Sequence, residues 1–175
     1  MELDILRSIY SMHNDVLDAI MVFITHLGDA GILWIVLSII LLCFKKTRKI
    51  GVASSIALVL SLIFTNGIVK NLVNRARPYT YDSSIKLLIG EQSDASFPSG
   101  HTSGSFASAV AIFCYNKKWG ALALIVASLI AFSRLYLFVH FPTDVLGGAV
   151  LGAIYAITGV LVVKFLSKKY DIKWM

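Results

Sequence analysis

Residues 121–144 read ALALIVASLIAFSRLYLFVHFPTD and join a membrane-length apolar run to a short segment rich in ionisable side chains. That segment, Ser133–Asp144, contains Arg134, His140 and Asp144. Charged residues within a membrane segment cost about 2.5–3.5 kcal/mol each on insertion scales, so their presence favours a function. A single arginine or histidine could instead lie at the membrane interface. Two other stretches carry matching chemistry, which favours the functional interpretation.

The composition is typical of an integral membrane protein. Of the 175 residues, 57% are hydrophobic and 15% are charged, whereas soluble domains average about 25% charged residues. The formal net charge of +6 could indicate nucleic-acid binding. The basic residues, however, lie in short clusters between apolar runs, as membrane topology requires, so we exclude nucleic acid as a partner.

The apolar runs predict an all-α fold, an integral membrane helical bundle with about six transmembrane helices. Residues 1–27 are expected to form an interfacial helix or a first span, because their purely apolar part is too short to cross alone. The length predicts a single domain covering 1–175. Further helices are predicted over 32–44, 50–74, 99–115, 121–139 and 142–166, with a polar loop over 79–97.

The distribution of basic residues predicts the topology. If each helix crosses once, the clusters at 45–49 and 117–118 share one side with a basic tail that includes Lys173. The positive-inside rule makes that side cytoplasmic, so the 79–97 loop and the 139–142 turn face outward from the cell membrane. Lys70, Arg75, Arg77 and Lys86 then lie near the outer face, where a specific anionic ligand would explain them.

The last predicted helix carries small residues at Gly148 and Gly152. This spacing fits a homodimer face, but it also lets helices of one bundle approach closely. We favour packing within one chain, and a homodimer remains the alternative.

The first matching stretch contains Lys70 and Arg77, which lie seven residues apart. This separation is nearly two helical turns, so both side chains point to one face about 10 Å apart along the axis. Pro78 follows and ends the helix, because the residue before a proline disfavours the helical conformation.

The second matching stretch is Pro98-Ser99-Gly100-His101-Thr102. A helix that begins here presents free backbone N–H groups at its positive end, where phosphate binds readily. Ser99 could act only as an N-cap. A protonated His101 in the first turn is disfavoured by the helix dipole unless an anion lies nearby, which favours a phosphate site.

The opening stretch completes this set of groups. The forked guanidinium of Arg134 suits phosphate oxygens. Asp144 can accept a hydrogen bond from one nitrogen of His140 and leave the other as a nucleophile or base. Together the three stretches predict a phosphate site with a nucleophile and an acid on the outer side of the membrane.

In order along the chain, Lys70-x6-Arg77-Pro78, Pro98-Ser99-Gly100-His101 and Ser133-Arg134-x5-His140-x3-Asp144 resemble the three-part signature of the type 2 phosphatidic acid phosphatase superfamily. The resemblance implies one membrane-embedded phosphatase domain that needs no metal and no other cofactor. It implies that His140 attacks phosphorus to form a phosphohistidine, that Asp144 orients His140, and that His101 protonates the leaving oxygen. The implied phosphate-binding groups are Lys70, Arg77, Ser99, Gly100 and Arg134.

The resemblance also implies that the substrate is a membrane lipid phosphate or diphosphate. Undecaprenyl diphosphate is favoured because the predicted site faces outward. The alternatives are phosphatidylglycerol phosphate, phosphatidic acid and diacylglycerol pyrophosphate. The competing functions are a lipid phosphotransferase, a vanadate-dependent haloperoxidase and a small membrane transporter. The haloperoxidase is disfavoured because those proteins are soluble.

Overall fold

The computed structural model of the protein describes residues 1–171, so Lys173 of the predicted basic tail lies outside the described part. Within those residues the chain forms helices and turns without strands, which confirms the predicted all-α fold. The α-helices are α1 (Glu2–Tyr10), α2 (Asp15–Leu27), α3 (Ile32–Cys43), α4 (Arg48–Leu60), α5 (Lys70–Val73), α6 (Gly100–Tyr115), α7 (Lys117–Tyr136) and α8 (Pro142–Lys169). A π-helical segment, Ser61–Val69, joins α4 to α5, and short 3₁₀ turns occupy Asp29–Gly31 and Pro78–Tyr81.

The long helix α8 is apolar outside and made of small residues inside. Its exposed face carries large side chains at helical spacing, including Val150, Ile154 and Leu161. Its buried face includes Gly148 and Gly152, which pack against α6. A surface of this kind is stable only in lipid, where interfaces between helices use small residues for close approach. The small-residue face is therefore used within the chain, as we favoured from the sequence.

The helices are long enough to cross a membrane at several points. Three helical runs, Arg48–Tyr81, Lys117–Tyr136 and Pro142–Lys169, pass tests of length and apolarity. Asp15–Leu27 and Asp29–Cys43 meet at a bend of 43° and would make a fourth span together. α6 has 16 residues and is shorter than a typical span. The number of about six spans therefore stays a prediction.

Helix α6 occupies the centre of the bundle and is held by buried hydroxyl groups. Ser108 Oγ lies 2.9 Å from Ser54 Oγ of α4, and Ser103 Oγ lies 2.8 Å from Ser61 Oγ of the π-helical segment. The indole Nε1 of Trp34 in α3 donates to Ser105 Oγ at 2.8 Å. Hydrogen bonds between helices contribute about 0.6–2 kcal/mol each in apolar surroundings. They fix the rotation of α6 and hence the direction of its first turn.

The two ends of the bundle differ in chemistry. At one end, Lys49 lies over the ring of Tyr115 at 5.9 Å from its centroid, and the same ring packs near Val160 of α8. The other end, here called the site end, contains the segment 74–99 and the turn 137–141. Amphipathic α1 packs on this end by inserting Leu6 against Phe138. Residues 1–27 are thus divided into α1 at the site end and α2, which bends into α3.

Some helix boundaries differ from those expected. The helix predicted over 121–139 begins earlier, at Lys117, because the side chain of Asn116 accepts a hydrogen bond from the backbone N–H of Trp119 at 3.1 Å. It ends at Tyr136, ahead of the tight turn in which Phe138 adopts a φ of 58°. The helix predicted over 50–74 is interrupted by the π-helical segment. Its wider turns lie between α4 and Lys70. Such π-helical insertions occur often at functional sites.

We predict that Gly152→Ala lowers the thermal stability of the purified protein in detergent. A Cβ at this position would lie 2.5 Å from the carbonyl oxygen of Ser103. Overpacking of this kind costs about 1–3 kcal/mol, which outweighs the ~1 kcal/mol that alanine gains over glycine in a helix. Gly104→Ala is the matched control, because its Cβ would come no closer than 3.9 Å to Leu58 Cδ2. Equal melting temperatures for the two variants would contradict the close α6–α8 contact.

Candidate active site

A cavity of about 600 Å³ opens at the site end of the bundle. All predicted site residues except Ser99 and Asp144 line it, so the three sequence stretches converge on one space. The rest of the wall is mostly apolar and follows α3, α4 and the start of the π-helical segment. Its apolar side chains include Ile35, Ile39, Leu58, Val59 and Leu62.

His140 is buried in the turn between α7 and α8. Its Nε2 lies 3.4 Å from Nη1 of Arg77. An arginine can only donate, so this contact requires Nε2 to carry a lone pair and Nδ1 to carry the hydrogen. A nucleophilic imidazole needs this tautomer, in which Nε2 has its lone pair available at the cavity beside Arg77.

Asp144 lies close to His140, but Ser96 takes part in the contact. Asp144 Oδ2 is 3.6 Å from His140 Nδ1, which is longer than a hydrogen bond. Ser96 Oγ donates to the same carboxylate oxygen at 2.5 Å and lies 3.5 Å from Nδ1. The backbone N–H of Phe141 also donates to Oδ2, at 2.8 Å. The carboxylate of Asp144 therefore caps the first turn of α8 and lies beside His140 Nδ1. Ser96 contacts both the carboxylate and this ring nitrogen.

Arg75 fixes Asp144 from the other side. Its Nη1 donates to Asp144 Oδ1 at 2.6 Å, and its Nη2 donates to Glu2 Oε2 at 2.7 Å. Glu2 Oε1 in turn accepts from the backbone N–H of Thr143 at 3.0 Å. Partial burial raises the pKa of Glu2, but the hydrogen bonds from Thr143 and Arg75 outweigh burial and lower it. The first turn of α1 is thereby tied to the first turn of α8.

Three cationic side chains, Lys70, Arg77 and Arg134, are buried around the cavity. Arg77 donates through Nη1 to the carbonyl oxygen of Val139 at 2.7 Å. Arg134 donates through Nη1 to Thr25 Oγ1 at 2.5 Å. Its buried Nε has no hydrogen-bond partner among residues 1–171. Buried charges are stable only with compensating partners, so this arrangement favours a bound anion.

The carboxylate of Asp94 provides that negative charge. It forms ion pairs with Lys70 and with Arg77 Nη2, the latter at 2.5 Å. Its side chain is 53% exposed although both cations are buried. It therefore reaches in from the loop 82–96 and occupies the position that suits an anion held by these two cations.

The charge of Asp94 is constant in the neutral pH range. Partial burial alone raises the pKa of Asp94, but the hydrogen bond and charge of Lys70, together with Arg77, outweigh burial and lower it to about 2. A lowered carboxyl pKa contributes stability above the ordinary value of 3.8, and this contribution is lost only as the pH falls towards 2. Only a competing anion, and not a change of pH near neutrality, can then displace the carboxylate.

The first turn of α6 lies across the cavity from His140. Ser99 Oγ accepts from the backbone N–H and from the hydroxyl of Thr102, at 3.4 and 3.0 Å, so the serine is a helix N-cap. Gly100 lines the cavity, and His101 lines it too. His101 Nε2 is 2.9 Å from Asp29 Oδ1. A direct contact between Ser99 and phosphate stays a prediction.

Four polar residues at this site were not among the predicted site residues. Their partners are far away in the sequence, so no local pattern indicates them. Arg75 had one signal, its unexpected positive charge near the outer face. The four residues are Asp29, Arg75, Asp94 and Ser96.

The amino-acid sequence is similar to a known family and to known proteins. A family model described as the PAP2 superfamily matches residues 50–168. An undecaprenyl-diphosphatase of Sulfolobus acidocaldarius is 35% identical over 138 residues, which are 78% of this chain and 66% of that protein. The chain thus spans about two thirds of the length of that relative.

Solved structures are also similar. The crystal structure of LpxE from Aquifex aeolicus superposes with a TM-score of 0.81 at 29% identity, covering 91% of this chain and 94% of that one. A transmembrane PAP2-type phosphatidylglycerolphosphate phosphatase from Bacillus subtilis gives a TM-score of 0.73 at 26% identity, covering 96% and 85%. The fold is therefore shared with these two proteins, one of which is a transmembrane lipid phosphatase.

We predict that Asp94→Asn binds inorganic phosphate and orthovanadate more tightly than the unchanged protein. The neutral amide no longer competes for Lys70 and Arg77, and we expect the dissociation constant to fall by about tenfold, equivalent to 1.4 kcal/mol. Thermal shift titration in detergent measures this constant without requiring turnover. Glu91→Gln removes an exposed carboxylate from the same loop and should leave it unchanged. Weaker anion binding by Asp94→Asn would show that the carboxylate supports the cations and does not compete for them.

Proposed function

The chain belongs to the PAP2 superfamily, and from this membership we propose that it is a metal-independent membrane lipid phosphatase acting through a phosphohistidine. The observation that carries the proposal is the convergence of His140 Nε2 with three buried cations on one cavity. Phosphoryl transfer needs charge stabilisation around the equatorial oxygens and an aligned nucleophile. Lys70, Arg77 and Arg134 supply the charge that other phosphatases obtain from metal ions.

The first chemical step is attack on phosphorus by His140 Nε2. The N–P bond forms as the bond from phosphorus to the leaving oxygen breaks, and His101 donates a proton to that oxygen. Asp144 and Ser96 hold the Nδ1 side of the ring and so aim Nε2 at the cavity. The N–H groups at the start of α6 stabilise charge on the phosphoryl oxygens.

The second step releases phosphate. A water molecule attacks the phosphohistidine, His101 accepts a proton from the water, and the N–P bond breaks to regenerate neutral His140. His101 must be protonated in the first step, whereas His140 must be neutral. Opposite requirements of this kind produce a bell-shaped dependence of rate on pH.

A lipid substrate fits the shape of the cavity. The polar groups lie at one end, and the apolar wall formed by α3 and α4 continues from them. A phosphate headgroup at the cations would therefore leave its hydrocarbon chain along this wall. The apolar exposed faces of the helices bring the cavity to the level of membrane lipids.

We propose undecaprenyl diphosphate as the preferred substrate. The similarity to a protein named undecaprenyl-diphosphatase supports this choice. The similarity to a phosphatidylglycerolphosphate phosphatase structure supports phosphatidylglycerol phosphate as the second candidate. Phosphatidic acid and diacylglycerol pyrophosphate complete a panel on which the preference can be measured.

We predict that His140→Ala abolishes phosphate release from every lipid of this panel, to below about one thousandth of the rate of the unchanged enzyme, because no other group can form the covalent intermediate. The assay uses purified protein in detergent, with melting temperature as the check on folding. Brief incubation of the unchanged enzyme with ³²P-labelled substrate should yield an acid-labile phosphoprotein that the variant lacks. Orthovanadate should inhibit and EDTA should not. Retained turnover in a folded His140→Ala protein would rule out the nucleophile.

We propose that the site end faces outward from the cell membrane, and the two cysteines provide a test. Cys43 and Cys114 are exposed and lie at the last turns of α3 and α6, at the end of the bundle opposite the site end. In intact cells a membrane-impermeant maleimide should label neither, and permeabilisation should expose both. Ser84→Cys, placed on the site-end loop in a background with both cysteines changed to serine, should be labelled without permeabilisation. The reverse labelling pattern would place the site on the cytoplasmic side.

A further inference from the structure

We propose that Asp29 is a positioning residue for His101, because its carboxylate binds Nε2–H of the imidazolium and leaves Nδ1 to deliver the proton to the leaving oxygen. This inference rests on the proposed function and assigns the acid of that reaction a carboxylate partner. Asp29 lies 72 positions before His101, in the break between α2 and α3. The site then contains two pairs of histidine and aspartate, one around each reacting imidazole.

The contacts define which nitrogen is engaged. Asp29 Oδ1 lies 2.9 Å from His101 Nε2, and the other oxygen, Oδ2, lies 2.7 Å from His26 Nδ1. An ionised carboxylate only accepts hydrogen bonds, so both imidazole nitrogens must donate. The side chain of His101 is 18% exposed, whereas that of His26 is 59% exposed. The carboxylate therefore joins the reacting histidine to a histidine in contact with solvent.

The backbone around Asp29 is shaped to make this contact. Ala30 has a φ of 49° and Gly31 a φ of 68°, which produces the break between α2 and α3. A non-glycine residue in this conformation costs about 1–3 kcal/mol, and such strain is concentrated at functional sites. A Cβ on Gly28 would lie 2.7 Å from Cδ2 of His101. Glycine at this position is what allows the imidazole to lie against the break.

The charges facing His101 explain why a carboxylate is needed. Burial of the ring opposes its protonation most strongly, and the cations Arg134 from α7 and Lys70 from α5 oppose it further. Asp29, from the break before α3, is the acidic group that acts against them, and His26 lies behind it. Without the carboxylate, burial and the two cations would disfavour the imidazolium still more strongly. The acid could then not protonate an alkoxide.

His101 gives up one proton in the first step and regains one in the second. In the first step the proton on His101 Nδ1 passes to the leaving oxygen as its bond to phosphorus breaks, while the hydrogen on Nε2 stays bonded to Asp29. In the second step Nδ1 takes a proton from the attacking water and the imidazolium is restored. Asp29 remains ionised throughout and needs no further reactant.

The experiment compares two leaving groups. Asp29→Asn should lower kcat for short-chain phosphatidic acid by about 10²-fold, since general acid catalysis contributes 10²–10⁴. Hydrolysis of p-nitrophenyl phosphate should change by less than about threefold, because nitrophenolate leaves without a proton and gains little from a general acid. The alkaline limb of the rate profile for phosphatidic acid should move to lower pH, because the imidazolium has lost its counter-charge. Asp29→Glu should restore part of the rate, and Asp15→Asn, an exposed carboxylate on α2, should change neither substrate.

The outcomes separate this inference from the proposed function. Equal loss on both substrates, or no loss on either, would refute the role of Asp29 while leaving the phosphatase intact. If the unchanged protein hydrolyses neither substrate, the proposed function fails. In that case the ¹⁵N imidazole spectrum of His101 tests the inference. A protonated Nε2 whose signal shifts in Asp29→Asn supports the contact. A spectrum that is the same in the variant refutes it.

Discussion

The burial of three cationic side chains at one end of an apolar bundle is the constraint on which the site depends. Removing such an ion from water costs several kcal/mol, so each needs partners with oxygen atoms. Those partners come from the segments that cover the site: Asp94 from the 82–96 loop, Val139 from the turn before α8, and Thr25 from α2. The cations thereby organise these segments, and in the proposed mechanism an incoming phosphate replaces Asp94 and leaves the other partners in place.

The close approach of α6 and α8 converts this cluster into a reactive geometry. A Cβ on Gly148 would lie 2.6 Å from the carbonyl oxygen of Ser99, so only glycine permits the contact. At the same level the backbone N–H of Ser99 donates to the carbonyl oxygen of Asp144 at 3.0 Å. The start of α6, which we propose binds phosphate, is thus fixed directly to Asp144, the proposed partner of the nucleophile. The small residues of α8 therefore determine the precision of the site.

Local sequence patterns predicted the helical class, and most of the predicted site residues line the cavity. The expectation that Lys70 and Arg77 share one helical face was wrong, because α5 ends at Val73, Asn74 adopts a φ of 44° and Arg77 is extended. The two cations meet at the cavity through the chain that follows the helix. The helical class followed from the lengths of the apolar runs, because a membrane imposes a nearly fixed length on them. Residues 1–27 were ambiguous between an interfacial helix and a first span, since neither the length nor the polarity of this segment is decisive.

The remaining features depend on contacts between distant parts of the chain. Gly28–Gly31 has the sequence of an ordinary turn, and only the packing of α2 against α7 brings Asp29 to His101. The ion pairs of Asp94 with Lys70 and Arg77 join a loop to residues 24 and 17 positions away, so no local pattern predicts them. The π-helical segment has no sequence signature here. It arises where the hydroxyl contacts of Ser61 and Thr65 with α6 hold the backbone.

The two carboxylates at the site differ in a way that matches the roles we propose for their histidines. Asp144 is fully buried and accepts hydrogen bonds from Arg75, Ser96 and the backbone of Phe141. A carboxylate shared among so many donors stabilises an additional positive charge weakly, so its effect on His140 is mainly to hold the neutral ring in place. Asp29 has fewer partners, and both are imidazoles. Its charge is available to an imidazolium, which suits an acid, whereas the saturated Asp144 suits a nucleophile that must stay neutral until it attacks.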